Sequence, residues 1–186
     1  FGLYTLAFTV SQVLYLAIIP ITQAFYPRLA ELVVQKDESA LVATYHLASQ
    51  ALVVVIAPLA LLLAFFPGEI MLFWTQDQVV ADTAAPFIVP MVLGALFNGL
   101  IYIPYHLQLA YGWSGFTARI NLIAVALFVP ALFLLVPHYG VIAAVYIWLA
   151  LNSGYLLVMI PLMHRRLLPA EKGHWYRDDV MLPIVA

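Results

Sequence analysis

The chain has no cysteine among its 186 residues, which excludes disulfide frameworks, thiolate metal sites and cysteine nucleophiles. Charged residues are also scarce, at 9% against about 25% in an ordinary soluble domain, and no basic face is available for nucleic acid. The sequence contains no HExxH motif, nucleophile elbow or phosphate-binding loop. We therefore predict no catalytic residue, no cofactor, no bound metal and no nucleic-acid partner.

The chain is instead rich in long apolar runs, with 66% hydrophobic residues and a mean hydropathy of +1.03. A helix crosses the hydrocarbon core of a bilayer in about 20 residues, and the runs are continuous rather than alternating, which disfavours barrel strands. The sequence predicts an all-α, polytopic transmembrane helix bundle over residues 1–186. Its expected spans are about 1–25, 45–66, 87–109, 120–136 and 141–163, and a further span begins near 180. The chain opens at Phe1 inside an apolar run, so we expect a fragment of a larger protein.

The positions of the basic residues predict the orientation. All seven fall in alternate connections between these spans: Arg28 and Lys36, then Arg119, then Arg165, Arg166, Lys172 and Arg177. Cytoplasmic loops of membrane proteins carry the excess of Lys and Arg. We therefore expect the Arg28, Arg119 and Arg165 loops in the cytoplasm. The outer connections would be residues 67–86, in which every charged residue is acidic, and a short turn at 137–140.

Local signals predict where helices begin and where they approach each other. Asp37 can cap a helix leading into the second span, and Thr75 or Asp77 can cap the helix that leads into the third. Two pairs of small residues, Gly140 with Ala144 and Ala150 with Gly154, predict close helix contacts, and Gly94 and Gly99 flank Asn98. Prolines within or near the ends of spans, such as Pro20, permit kinks.

Polar side chains inside the spans are too numerous for plain lipid anchors. Asn98, Tyr102 and Tyr105 share one helix face, because they are spaced i, i+4 and i+7. Asn121, Asn152 and Gln12 lie in or at the edges of other spans. One interpretation is that each amide bridges neighbouring helices. The other is that these groups together line a polar cavity in the bundle interior.

Scattered short motifs over the whole chain resemble one family. They are Phe1-Gly2-Leu3-Tyr4, Pro20-Ile21, Gln23-Ala24, Pro27-Arg28-Leu29, Trp74-Thr75 with Asp77, Ala84-Ala85-Pro86, Asn98, Pro104-Tyr105, Leu107-Gln108-Leu109-Ala110, Gly112-Trp113, Asn121, Tyr139-Gly140 and His164-Arg165. The chain is similar to the second lobe of bacterial polysaccharide (O-antigen type) flippases, in the multidrug, oligosaccharidyl-lipid and polysaccharide exporter superfamily. It departs at Gln76, where the family often has Gly, which makes a tight turn there doubtful.

The resemblance implies a multi-pass carrier in the bacterial cytoplasmic membrane. Such a carrier moves a polyprenyl-diphosphate-linked glycan from the inner to the outer leaflet by alternating access, together with an N-terminal lobe that is absent here. On this interpretation Arg119 attracts the diphosphate at the inner mouth, and His106 is an ion-coupling residue. The remaining expected substrate-binding residues are Asn98, Asn121, Asn152, Tyr105 and Gln12.

Two other functions stay open. A membrane-embedded glycan polymerase or ligase would need a sizeable outer loop with acid–base groups and cations, whereas the predicted outer loops are short and contain no Lys or Arg. A multidrug efflux antiporter of the same superfamily would need a membrane-embedded carboxylate, and the predicted spans contain none. We therefore expect a transporter rather than an enzyme.

Overall fold

A computed structural model describes residues 2–185, and every regular element in that range is helical. The helices are α1 (Gly2–Gln12), α2 (Tyr15–Gln35), α3 (Glu38–Phe65), α4 (Pro67–Thr75), α5 (Gln78–Ala110), α6 (Ser114–Tyr139), α7 (Val141–Gly154), α8 (Ile160–Leu167), α9 (Lys172–His174) and α10 (Leu182–Val185). Two π-helical turns, Tyr155–Met159 and Trp175–Met181, join α7 to α8 and α9 to α10. The predicted all-α class is confirmed.

Five helical segments are long and apolar enough to cross a membrane: Gly2–Gln35, Glu38–Phe65, Gln78–Ala110, Ser114–Tyr139 and Val141–Leu167. These are the helices of a multi-pass membrane protein. The α5 segment lies at the centre and packs against α1, α2, α3, α4 and α7. The α6 segment is peripheral, packs mainly on α7, and leaves large side chains such as Leu122 and Phe133 exposed. In water this surface would be unfavourable, so α6 needs an apolar environment.

The polar connections start the next helices as expected. The Asp37 carboxylate accepts the backbone N–H of Ala40 at 3.0 Å, and this bond lowers the pKa of Asp37. Asp77 accepts the N–H groups of Val79 and Val80 in the same way, so it caps α5. A tight turn does form at Gln76, although it is not glycine. Gln76 ends α4 in a left-handed conformation with φ of 55°, and its amide donates to the Phe73 carbonyl at 2.6 Å.

The first span is broken at a position that no proline marks. Helix α1 ends at Gln12, and Val13 and Leu14 form a tighter turn with i to i+3 hydrogen bonds before α2 begins. Pro20 and Pro27 both lie inside α2. The break therefore comes from local backbone tightening, whereas the prolines are accommodated within the helix.

Each π-helical turn ends two residues before a proline, Pro161 or Pro183. Proline has no N–H and its ring collides with the preceding turn, so a wider turn accommodates it. In the first π turn the Ile160 N–H bonds to the Tyr155 carbonyl, five residues back. With this spacing, the N–H five residues after Leu156 would belong to Pro161, and proline has none. The Tyr176 hydroxyl donates to the Leu156 carbonyl instead, at 2.5 Å. Burial raises the pKa of Tyr176 to about 12.

The three basic connections lie at one end of the bundle. The Arg166 guanidinium stacks 4.4 Å above the Trp113 ring, which joins the α5–α6 connection to the end of α8. Tyr111 borders a small cleft together with Lys36 and Asp37, which joins the same connection to the turn between α2 and α3. The final helical segment, 172–185, packs along α3.

Close helix approach occurs at the two glycines that flank Asn98, and not at Gly140 or Gly154, the glycines of the two small-residue pairs. A Cβ on Gly94 would lie 2.6 Å from the Trp148 ring, and one on Gly99 would lie 2.8 Å from the Ile18 side chain. A Cβ on Gly154 would meet no atom within 4 Å among the described residues. The prediction of a close contact at Gly154 is therefore wrong, because this position faces open space.

Candidate functional site

A chain of hydrogen bonds connects three helices at the middle of the bundle. The Tyr15 hydroxyl of α2 donates to Oδ1 of Asn98 on α5, at 2.8 Å. Nδ2 of Asn98 donates to Oδ1 of Asn152 on α7, also at 2.8 Å, and the Asn152 amide donates onward to the Trp148 carbonyl at 2.9 Å. Asn152 is fully buried. Every polar atom in this chain is thus paired within the bundle, as hydrocarbon surroundings require.

The third asparagine is connected to the same region through a tyrosine. The Tyr155 hydroxyl, at the start of the first π turn, donates to Oδ1 of Asn121 on α6 at 2.8 Å. The three asparagines together line a cleft of about 370 Å³, which we call the polar cleft. Its lining is Asn98, Ile101, Tyr102, Tyr105, Thr117, Asn121, Trp148, Leu151, Asn152, Tyr155 and Met159. Asn98 and Asn152 thus bridge neighbouring helices, and all three asparagines also border this cleft.

Gln108 adds an unpartnered donor beside the polar cleft. This residue is fully buried, and its Oε1 accepts the Thr117 hydroxyl at 2.7 Å. Its Nε2 has no hydrogen-bond partner among the described residues. A buried amide without a partner is unfavourable, so this nitrogen is available to a water molecule or a ligand oxygen.

A second cleft of about 310 Å³ adjoins the polar cleft along α7, and we call it the apolar cleft. Apart from two tyrosines its walls are hydrophobic: Tyr4, Ala124, Val125, Phe128, Val129, Leu132, Ala144, Ile147, Trp148, Leu151 and Tyr155. Trp148, Leu151 and Tyr155 belong to both clefts. The two surfaces are therefore continuous, and one molecule with a polar and an apolar part can contact both.

The remaining residues expected at the site lie elsewhere. Arg119 is exposed on α6, is not among the residues of the polar cleft, and forms no hydrogen bond or ion pair with the described part of the chain. Gln12 lies at the break between α1 and α2, outside both clefts. His106 also lies outside both clefts. Its Nδ1 donates to the Tyr102 carbonyl at 2.7 Å, and its ring contacts Tyr26.

The sequence did not indicate a second polar group, which we call the histidine cluster: His46, Glu171, His174, Asp178 and Asp179. It lies between the first turns of α3 and the final helical segment. Asp179 is the only fully buried carboxylate among residues 2–185. The Arg177 guanidinium forms two hydrogen bonds to Asp178 and lowers the pKa of that carboxyl. The spacing of Glu171 and His174, one helical turn apart, was the available signal.

Comparison of the chain with protein-family models, curated proteins and solved structures found no match. The arrangement of its own residues is therefore the basis for any functional conclusion.

Proposed function

We propose that this protein is a membrane transporter that moves a lipid-linked oligosaccharide or polysaccharide repeat unit from the inner to the outer leaflet by alternating access. The observation that carries the proposal is the continuity of the polar and apolar clefts through Trp148, Leu151 and Tyr155. A lipid-linked glycan has a hydrogen-bonding headgroup joined to a long hydrocarbon tail. Such a molecule needs hydrogen-bonding groups next to an apolar surface. The sequence resemblance to bacterial polysaccharide flippases supports the same substrate class.

The polar cleft offers the chemistry that a sugar headgroup requires. Asn121 and Tyr105 border the cleft with groups that can donate and accept hydrogen bonds, and the amides of Asn98 and Asn152 would join them once their bond to each other opens during transport. Aromatic faces such as Trp148 can pack against the apolar faces of sugar rings. Both cleft volumes, about 370 and 310 Å³, fall in the range of roughly 300 to 1,000 Å³ found for ligand pockets.

The apolar cleft and the exposed α6 surface suit the polyprenyl tail. The tail gains nothing by leaving the hydrocarbon phase, so it is expected to remain in lipid while the headgroup moves through the interior. Because α6 packs mainly on α7, the space between α5, α6 and α7 can admit the substrate from the side. Outward rotation of α6 would widen both clefts together.

The orientation in the bacterial cytoplasmic membrane follows from the positive-inside rule. The basic connections at Arg28, Arg119 and Arg165 would face the cytoplasm. Arg119 then lies at the inner end of α6, where its side chain can reach the headgroup region and attract a diphosphate before the substrate enters. In this proposal His106 has the role of a protonatable coupling residue beside the polar cleft.

The test measures flipping of a polyprenyl-diphosphate-linked glycan by the intact protein in vesicles. Asn98→Ala and Asn152→Ala should lower flipping at matched protein level, since each removes an amide that the headgroup would contact once the Asn98–Asn152 bond opens. Ser153→Ala is the matched control, because its hydroxyl bonds only to the Leu149 carbonyl of its own helix. Normal flipping by both asparagine variants would contradict the proposal, and so would an equal loss in Ser153→Ala.

One observation favours a second candidate, a cation-coupled multidrug antiporter. That function needs a membrane-embedded carboxylate, and Asp179, although it lies after the fifth span, is fully buried against α3, where it binds His46 and Gln50. Drug efflux driven by an ion gradient and abolished by Asp179→Asn would support the antiporter. Glycan flipping without drug efflux would support the flippase.

A further inference from the structure

Three potential metal-ligand atoms of the histidine cluster lie within 3.6 Å of one another. Nε2 of His46 lies 2.9 Å from Oε2 of Glu171 and 3.2 Å from Nδ1 of His174. The third distance, between Nδ1 of His174 and Oε2 of Glu171, is 3.6 Å. These atoms form a nearly equilateral triangle that joins α3 to the segment after α8.

The second nitrogen of each histidine lies beside a carboxylate. Nδ1 of His46 forms a hydrogen bond with Asp179 at 2.5 Å, and Nε2 of His174 lies 3.0 Å from Oδ2 of Asp178 in an ion-pair contact. An ionised carboxylate only accepts hydrogen bonds, so the neutral His46 ring carries its proton on Nδ1, which faces Asp179, and the nearby Asp178 favours the proton of His174 on Nε2. In the neutral rings the lone pairs are then on Nε2 of His46 and Nδ1 of His174. Together with Glu171, three electron-pair donors face one point.

This arrangement is unfavourable unless a positive charge occupies that point. A proton can satisfy two of the three atoms at once, whereas a metal ion can bind all three. In a tetrahedral zinc site with bonds of about 2.0 to 2.1 Å, neighbouring ligand atoms lie about 3.3 Å apart. The observed distances of 2.9, 3.2 and 3.6 Å lie around that value.

We propose that His46, Glu171 and His174 bind a divalent transition metal ion of the zinc class, with a water molecule as the fourth ligand. Two imidazoles and one carboxylate are ligands that zinc accepts, whereas magnesium and calcium prefer oxygen alone. Asp179 holds the His46 ring from behind, as carboxylates commonly do for metal-bound histidines, and Asp178 lies close to the second nitrogen of His174. The inference does not depend on the transported substrate.

An ion can reach the cluster from solvent, and once bound it would connect two helical segments. The His174 side chain is 45% exposed and Glu171 is 24% exposed, whereas Asp179 is completely buried. The cluster thus opens towards solvent on one side and is closed behind by Asp179, which Gln50 also binds at 2.8 Å. A bound metal would fasten the final helical segment to α3.

The experiment uses the intact protein in detergent, stripped with a chelator and titrated with zinc chloride in a calorimeter at neutral pH. We expect one zinc ion per chain and a melting temperature that rises with zinc concentration. His174→Ala should weaken binding more than about 100-fold because it removes a ligand, and Asp178→Asn should weaken it about 10- to 100-fold. Cobalt in place of zinc should give the intense visible absorption of a tetrahedral site.

The matched control is His138→Ala, which removes an exposed histidine from the end of α6 and should bind zinc like the wild type. Glu171→Gln keeps the size of a ligand residue and should also lose binding. Melting curves without zinc check the fold of each variant, and His174→Ala should melt normally because its side chain is half exposed.

The proposal is overturned if the wild type binds no zinc, or if His174→Ala and Glu171→Gln bind it as tightly as the wild type. Loss of binding in His138→Ala would also overturn it, because the ion would then bind the surface. A protonated His46 between two carboxylates would be the remaining explanation.

Discussion

Replacing Gly94 by alanine tests the central contact of the bundle. The new methyl group would lie 2.6 Å from Cδ1 and 2.7 Å from Nε1 of Trp148. Carbon atoms in proteins pack at about 3.5 to 4.0 Å, so the contact is too short by about 1 Å. Both atoms belong to one rigid ring, which must move as a whole. Because Trp148 borders both the polar and the apolar cleft, the displaced ring would enter the space that we assign to the substrate.

The magnitude follows from two opposing effects. Overpacking a core costs about 1 to 3 kcal/mol, whereas alanine is favoured over glycine in a helix by about 1 kcal/mol. Gly94→Ala should therefore lower the free energy of unfolding by about 0 to 2 kcal/mol. Gly154→Ala is the matched control, because its methyl group would meet no described atom within 4 Å. The difference between the two variants isolates the clash, since the helix preference cancels.

The assay is unfolding of the intact protein in detergent, combined with glycan flipping in vesicles. Gly94→Ala should be about 1 to 3 kcal/mol less stable than Gly154→Ala and should flip more slowly. Gly99→Ala should fall between them, because it meets the end methyl groups of Ile18 and Ile56, which can rotate away. Equal stability and equal flipping in Gly94→Ala and Gly154→Ala would refute the packing argument.

Three further predictions concern the ends and connections of the helices. Tyr176→Phe should destabilise the protein by about 1 to 3 kcal/mol in thermal unfolding, because it leaves the Leu156 carbonyl without a partner. The lowered pKa of Asp37 means that its contribution to stability is present above about pH 4 and is lost as the pH falls through that pKa. Asp37→Asn should remove this part of the pH dependence of the melting temperature. Arg119→Ala should lower glycan flipping without changing membrane insertion, and unchanged flipping would exclude Arg119 from substrate binding.

The helical class could be predicted from the sequence because it depends on local properties. Uncharged runs longer than a bilayer crossing leave few alternatives to a helix. Acidic residues before such runs, at Asp37 and Asp77, also mark the helix starts, since a cap acts within three residues. The sharing of one face by Asn98, Tyr102 and Tyr105 follows from helical periodicity, and all three line the polar cleft.

Other features could not be predicted, because they depend on distant residues or on small backbone adjustments. His46 is separated by 125 residues from Glu171, and no local pattern reports which helices meet there. The break at Val13 and Leu14 contains neither proline nor glycine, so the sequence gives no sign of it. Prolines near the ends of spans permit kinks, whereas the structure accommodates Pro161 with a wider turn.

The first π turn has a consequence for the whole inner surface of its helix. Residues 152 and 164 are 12 positions apart, and in a straight α-helix they would point in directions about 120° apart. The π turn accommodates one extra residue, which removes about 100° of this angle. The two side chains then point in directions only about 20° apart. Asn152 and His164 are both fully buried, and they contact Asn98 and Tyr45 respectively. The helix thereby keeps a single inward side from the middle of the bundle to its basic end.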